Sequence, residues 1–306
     1  MKIFIPNLNE SWVVDRFRNE FINKNQNLIV DSIKNSTIVW IISPWTWKKI
    51  PKRHLKNKTV VCTIHHLEES DFDKKGLENF KKLDKYIDYY HAISNKTKID
   101  LEKLTKKKIY TFPFWINTDI FFDIKNNENL KSKYLFNQDD YLVGSFQRDT
   151  EGSDLASPKL IKGPDQFFKI ISELNKELKN LTVVLTGYRR QYIIKKFDEN
   201  NINYKYFESV TQAELNELYN CLDMYIVSSR KEGGPQAIME CGITNTPIVS
   251  TDVGIAREIL SSESIFDMTN YSDAQPNTST AYKNTMKYTD NKGIGLFISM
   301  FSEISE

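Results

Sequence analysis

Two carboxylates, Glu232 and Glu240, stand eight positions apart around the segment Gly233-Gly234-Pro235-Gln236. The paired glycines let a backbone approach a ligand closely, and Pro235 suits a helix start, where its missing N–H is not needed. With Glu232 ahead of the helix and Glu240 two turns into it, both can lean toward one ligand from different depths. Carboxylates accept hydrogen bonds from hydroxyl groups, and the free N–H groups at a helix start suit a phosphate or a cluster of hydroxyls. The plain alternative is a turn with one capping and one solvated acid.

A second constellation is cationic. Gln147 and Arg148 follow a β-prone run, and Lys159, Lys162, Gly163 and Pro164 then open an amphipathic helix. Cations meeting a helix N-terminus form a cradle for a diphosphate, although the same residues also read as a solvated loop. His65 and His66 end another β-prone run. Neighbours on an extended chain point to opposite sides, so only one of the two can face a ligand.

The elements that must position these residues alternate. Short β-prone runs at 2–5, 37–42, 59–64, 89–93 and 108–112 predict a first parallel sheet with covering helices. A polar, Asn- and Lys-rich stretch at 119–140 reads as a linker with one helix. The alternation then resumes with strands at 141–145, 182–186, 204–207, 224–227 and 247–250, and helices at 164–179, 191–200, 212–220 and 236–242. In the first of these helices Phe167, Phe168, Ile170, Ile171, Leu174 and Leu178 share one face at the helical period. The predicted domains are 1–125, 126–270 and a return segment at 271–306, a helix packing toward the first domain. Ligands of open α/β sheets bind beyond the carboxyl ends of the strands, so the loops after strands are the informative ones.

Glu232-Gly-Gly-Pro-Gln-Ala-Ile-Met-Glu240 resembles the Glu-x7-Glu signature of the retaining glycosyltransferases of family 4. The resemblance extends forward through 246–259 and back to His91-Ala92-Ile93-Ser94-Asn95 and the Phe112–Phe121 segment. It implies a GT-B fold: two Rossmann-like βαβ domains facing across an interdomain cleft. It also implies roles. Glu240 would hold the ribose of a nucleoside-diphosphate sugar, Glu232 would touch the donor sugar near the reacting centre, and the N–H groups of Gly233 and Gly234 would meet the distal phosphate or the sugar. Lys162-Gly163 is similar to the family's Lys-Gly pair at the diphosphate. The family's arginine normally follows the strand directly, where this chain has Ser145, and an insertion rich in Ser, Asp, Thr and Gly follows at 149–160, so Arg148 and Lys159 both stand as its replacement, with Arg148 preferred. His65 matches the histidine placed against the donor sugar. Thr186-Gly187-Tyr188-Arg189 and Ser209-Val210 fall where the family receives the base, and read also as plain turns. Asp71-Phe72-Asp73 invites comparison with the metal-binding Asp-x-Asp of the other large glycosyltransferase fold, but it lies in a polar loop of a different architecture, and no metal or other cofactor is expected.

The implied activity is metal-independent, hexosyltransferase-type transfer from a UDP- or GDP-linked sugar to an acceptor hydroxyl, in glycan, glycolipid or polysaccharide synthesis. The rivals are a non-catalytic sugar-nucleotide-binding module and a GT-B phosphorylase. Two departures bear on the acceptor: the chain is short for the family, and residues 7–12 lack the Gly-Gly turn often found after the first strand.

Bulk properties agree with a folded, two-core chain of 306 residues, 40% hydrophobic and 27% charged. Residues 1–5 read as a strand rather than a secretory signal, and the apolar runs at 38–42 and 294–301 are too short to span a bilayer. Cys62, Cys221 and Cys241 have neither disulfide-framework nor zinc spacing, which points to a reducing cytoplasm. Residues 1–125 carry 23 basic and 15 acidic side chains, against 19 and 25 in the remainder. The lysines and arginine at 48–58 and 103–108 therefore suggest either a solvated face or peripheral contact with anionic lipid on the inner face of a membrane. No nucleic-acid partner is expected.

Overall fold

The computed structural model describes residues 1–7, 13–125 and 128–305. The chain divides into two compact units, Met1–Trp115 with Asp290–Glu306, and Ile116–Thr289.

The first unit runs β1 (Ile3–Phe4), α1 (Val13–Lys24), β2 (Ile38–Ile41), β3 (Thr59–Ile64), α2 (Lys74–Asp84), β4 (Tyr89–Ala92), α3 (Asn95–Leu101) and β5 (Ile109–Thr111). The five strands are parallel and lie in the order β1-β2-β3-β4-β5. Beyond β1, among the described residues, the sheet is extended by a single parallel bridge, Ile3 to Ile29. Successive side chains of a strand point to opposite faces. Accordingly Ile38, Trp40 and Ile42 pack with Phe17, Phe21 and Trp115 on one face, while Val39 and Ile41 pack with Val60, Cys62 and Leu83 on the other. Ser94 caps α3 by accepting from the Thr97 N–H at 3.1 Å. The two aspartates of Asp71-Phe72-Asp73 are likewise caps, accepting the N–H groups of Glu68 and Gly76 at 2.7 Å each.

The second unit contains α4 (Glu128–Lys133), β6 (Tyr141–Ser145), α5 (Pro164–Glu177), β7 (Leu181–Thr186), α6 (Gln191–Glu199), β8 (Tyr204–Phe207) and α7 (Gln212–Cys221). It continues with β9 (Met224–Val227), α8 (Gln236–Thr244), β10 (Ile248–Thr251), α9 (Ala256–Ile259), β11 (Ile265–Phe266) and α10 (Thr278–Thr285). Its six strands lie in the order β11-β10-β9-β6-β7-β8, all pairings parallel, so the direction of winding reverses between β6 and β9.

The units meet their neighbours in sequence at different places from the predicted 125 and 270. Ile116 and Phe121 are wholly buried in the core of the second unit. The N–H groups of Phe122 and Ile124 donate to Asn216 and Asn220 of α7 at 3.0 and 2.8 Å, so this polar stretch is docked chain rather than linker. At the other end α10 lies against α8: a Cβ on Gly242 would come within 2.1 Å of Thr285 Oγ1. The return segment is two helices, not one. It breaks after α10, where Ile116 N–H takes the Tyr288 carbonyl at 2.9 Å, and resumes as α11 (Asp290–Glu303) in the first unit. There Phe297 and Phe301 are fully buried, with ring centroids 4.9 and 5.3 Å from Trp40. No helix among the described residues is long and apolar enough to cross a membrane.

Candidate functional site

Where winding reverses, the loops leaving two adjacent strands diverge and open a crevice at the carboxyl edge. In the second unit those are the loops after β6 and β9, and they carry both constellations of the sequence. The turn at Leu160–Lys162 is clamped onto the β9 loop by main-chain bonds, with the Arg230 N–H donating to Ile161 O at 2.9 Å. Gly163 has φ +64°, and a Cβ there would sit 1.8 Å from the Ser228 carbonyl, so only glycine allows this approach. Ser228 Oγ donates to Gly163 O at 2.9 Å and Gln166 Nε2 to Ser228 O at 2.6 Å, closing the contact from both sides.

The clamp brings Lys162 and Glu232 into a direct ion pair between partly buried side chains, Glu232 being 13% exposed. Ser229 Oγ lies 3.2 Å from both Glu232 Oε1 and Gln147 Oε1, while Gln147 Nε2 donates to the Lys162 carbonyl at 2.8 Å. Arg230 is committed elsewhere, in a bidentate pair with Asp165 at 2.7 and 2.6 Å. Gly233 is buried, and the loop after β10 reaches it: a Cβ on Gly254, at φ +48°, would be 2.1 Å from Gly233 O. Gly234 and Pro235 follow, and Pro235 is the N-cap residue of α8, which begins at Gln236.

Arg148 is exposed, its Nε donating to Thr150 O at 2.7 Å. Lys159 is partly buried, and its pKa is lowered by that burial and then by the charges of Lys162 and Arg148. Both proposed replacements for the family's arginine thus belong to one cationic neighbourhood with Lys162.

Glu240 does not join the Lys162–Glu232 pair. It is buried on α8 and accepts a hydrogen bond from Tyr219 Oη at 2.8 Å. Burial, and then the Glu240 charge, push the Tyr219 phenol well above its usual pKa, which keeps it a donor. Gly187 has φ +85°, and its carbonyl accepts from Tyr206 Oη at 2.9 Å. Tyr188 is 65% exposed with its hydroxyl 3.5 Å from Ser209 Oγ, so the ends of β7 and β8 bring Tyr188 beside the Ser209-Val210 turn.

His65 belongs to the first unit. It is buried, and Nε2 lies 2.8 Å from the Ile42 carbonyl; the carbonyl can only accept, so Nε2 carries the proton. Burial lowers its pKa to about 4, so the ring is neutral at ordinary pH. Trp45, 52% exposed, lies with its ring centroid 5.4 Å from that of His65. His66 points away to Glu68 at 3.4 Å. Residues 8–12, which contain most of the loop after β1, lie outside the described residues.

Sequence reasoning assigned no role to Ser229, Tyr219 or the pair Asp149–Arg190, the last of which is 2% and 1% exposed. Ser229 was findable, since it follows a strand at the switch. Nothing local marks Arg190 as buried, because an arginine opening a helix after a turn ordinarily reads as solvated.

Residues 156–284 match the family described as Glycosyl transferases group 1. No curated protein matches the chain in sequence. Among solved structures, HepE from Anabaena in complex with UDP and glucose superposes with TM-score 0.74 at 11% identity, over 99% of this chain and 100% of that one. A glycosyltransferase from Rickettsia africae gives 0.71 at 14% identity over 99% and 98%, and sucrose-phosphate synthase from Thermosynechococcus elongatus 0.68 at 12% over 97% and 80%. The protein therefore has the GT-B fold of two Rossmann-like domains. The stretch similar to that family, residues 156–284, includes Lys162, Glu232 and Glu240.

Proposed function

We propose that the protein is a retaining, metal-independent glycosyltransferase moving a sugar from a UDP- or GDP-linked donor to an acceptor hydroxyl in glycan, glycolipid or polysaccharide synthesis. The observation that carries this reading is the Lys162–Glu232 pair at the strand-order switch, flanked by Lys159 and Arg148. As the bond from C1 to the diphosphate breaks, positive charge grows on the sugar and negative charge on the leaving group. Fixed cations at the diphosphate then stabilise the transition state more than the ground state.

In this reading Lys162, with Arg148 and Lys159, takes the diphosphate and supplies the charge a metal would otherwise bring. Glu232, released from Lys162 by the phosphate, orients the sugar, and the N–H groups of Gly233 and Gly234 and the α8 start at Pro235 and Gln236 bind the distal phosphate and the sugar. Glu240 holds the ribose, while Gly187, Tyr188 and Val210 receive the base. His65, being neutral, orients the sugar by hydrogen bonding without adding charge. The acceptor oxygen bonds to C1 on the face the diphosphate leaves, and its proton passes to the departing diphosphate. The protein would work in the cytoplasm, with its basic first unit against an anionic membrane face.

HepE was solved with UDP and glucose, which makes UDP-glucose the first donor to try. The test is nucleoside diphosphate release from UDP-, GDP-, ADP- and TDP-sugars, alongside Glu232→Gln and Lys162→Ala. Slow release from one donor, abolished in both variants and unchanged by EDTA, is the expected result. Nucleotide binding with no release from any donor, with or without candidate acceptors, would instead favour a non-catalytic binding module.

A further inference from the structure

We propose that the buried pair Asp149–Arg190 is the positioning device that sets Arg148 and Lys159 beside Lys162 to receive the diphosphate; the proposal rests on the donor reading above. The Arg190 guanidinium donates to three acceptors at once: Asp149 Oδ2 at 2.7 Å, the Thr186 carbonyl at 3.0 Å and the Ser145 carbonyl. One side chain thereby ties the last residues of β6 and β7 to the first residue of the insertion at 149–160.

That insertion is a small hairpin. Thr150 bridges Pro158 antiparallel, and the Glu151 N–H donates to Ser157 O at 3.0 Å. Its root is closed by Lys159 N–H to Asp149 O at 2.7 Å, and its first leg is held by the Asp149 and Thr150 N–H groups on Arg189 O at 3.1 Å each. Arg148 and Lys159 therefore flank the root on its two legs. The second leg runs directly into the turn bearing Lys162, whose N–H takes Lys159 O at 2.8 Å.

Stability alone gives no reason for a charged pair here, because an apolar pair of similar volume would serve as well or better. Geometry does give one. Three neighbouring cations repel one another, and an exposed polar hairpin has little core of its own with which to hold them together. The buried guanidinium supplies a fixed point beneath the root, bonded in directions that apolar side chains could not reproduce.

The test is calorimetric titration of the full chain with UDP and GDP, with thermal unfolding followed in parallel. Asp149→Leu combined with Arg190→Met is expected to unfold close to the wild-type temperature yet bind its nucleotide about tenfold more weakly. In that background Arg148→Ala should cost little more, although it weakens the wild type about tenfold, because the cation has already lost its place. Should the double variant fail to fold, Asp149→Asn keeps a hydrogen bond to Arg190 and is expected to lose affinity several-fold while staying folded. Wild-type affinity in a folded double variant, or in Asp149→Asn, would overturn the proposal. Absence of UDP and GDP binding in the wild type itself would overturn the donor reading and this inference with it.

Discussion

In the second unit the strand order reverses between β6 and β9 with full strands on both sides, and the loops leaving those strands gather a lysine, a glutamate, a serine and a glutamine. In the first unit the sheet beyond β1 is, among the described residues, a single bridge at Ile29, and the described loops after β2 and β3 present Trp45 and a neutral His65. Similar parallel sheets thus present a cross-loop ion pair at one carboxyl edge and an aromatic–imidazole contact at the other. Charge concentrates where two loops are held together by backbone contacts as close as Gly163 with Ser228, because paired charges need partners fixed within hydrogen-bond distance. The first unit instead uses its C-terminal helix for aromatic packing, with Phe297 and Phe301 against Trp40.

If the two units divide labour in this way, Phe297→Ala should strike only the first. Removing a fully buried ring costs about 3–5 kcal/mol, read by denaturant unfolding, with hydrogen exchange loosened in peptides of residues 1–115. Equal loosening across 116–289, or loss of nucleotide affinity in the still-folded protein, would break the comparison. Next in size, Lys162→Ala should lower donor turnover about a hundredfold or more. The same assay on His65→Gln should show a smaller loss without altered salt dependence, since a neutral group is replaced by a neutral one.

A third test uses pH. His65 and His91 are both buried and neutral, with pKa values lowered by burial to about 4 and about 3 from 6.5. Between pH 6.5 and about 4 the unfolded chain therefore binds more protons than the folded one, and stability of the first unit is lost as pH falls through that window. Exchange in peptides around β3 and β4 should accelerate on acidification, and His65→Gln should flatten the slope. The smallest expected effect is at Asp71 and Asp73. As helix caps, each is worth about 1 kcal/mol to local stability, and alanine at both should leave transfer unchanged with or without EDTA. A loss of activity there would restore a metal-binding role.

Much of this was legible along the chain. The two sheets and the helices between them follow from apolar runs at the β and α periods, and Glu232, Gly233, Gly234, Lys162 and Gly163 were singled out because glycines and charges after strands are informative wherever the fold is a parallel sheet. Those features are local: period, turn chemistry and capping act over a few residues.

What the tertiary structure decided is pairing. Eight positions separate Glu232 from Glu240 in sequence, yet one faces Lys162 from another loop and the other faces Tyr219 from another helix. Residues 119–125, the start of the stretch at 119–140 that reads as linker, are docked chain, because their partners Asn216 and Asn220 lie far along the sequence. Nothing local in the sequence marks Arg190 for burial, yet it is 1% exposed, because Asp149 and two strand ends close over it. Composition and period fix which residues seek burial or a partner; only the order in which strands assemble fixes which partner each one meets.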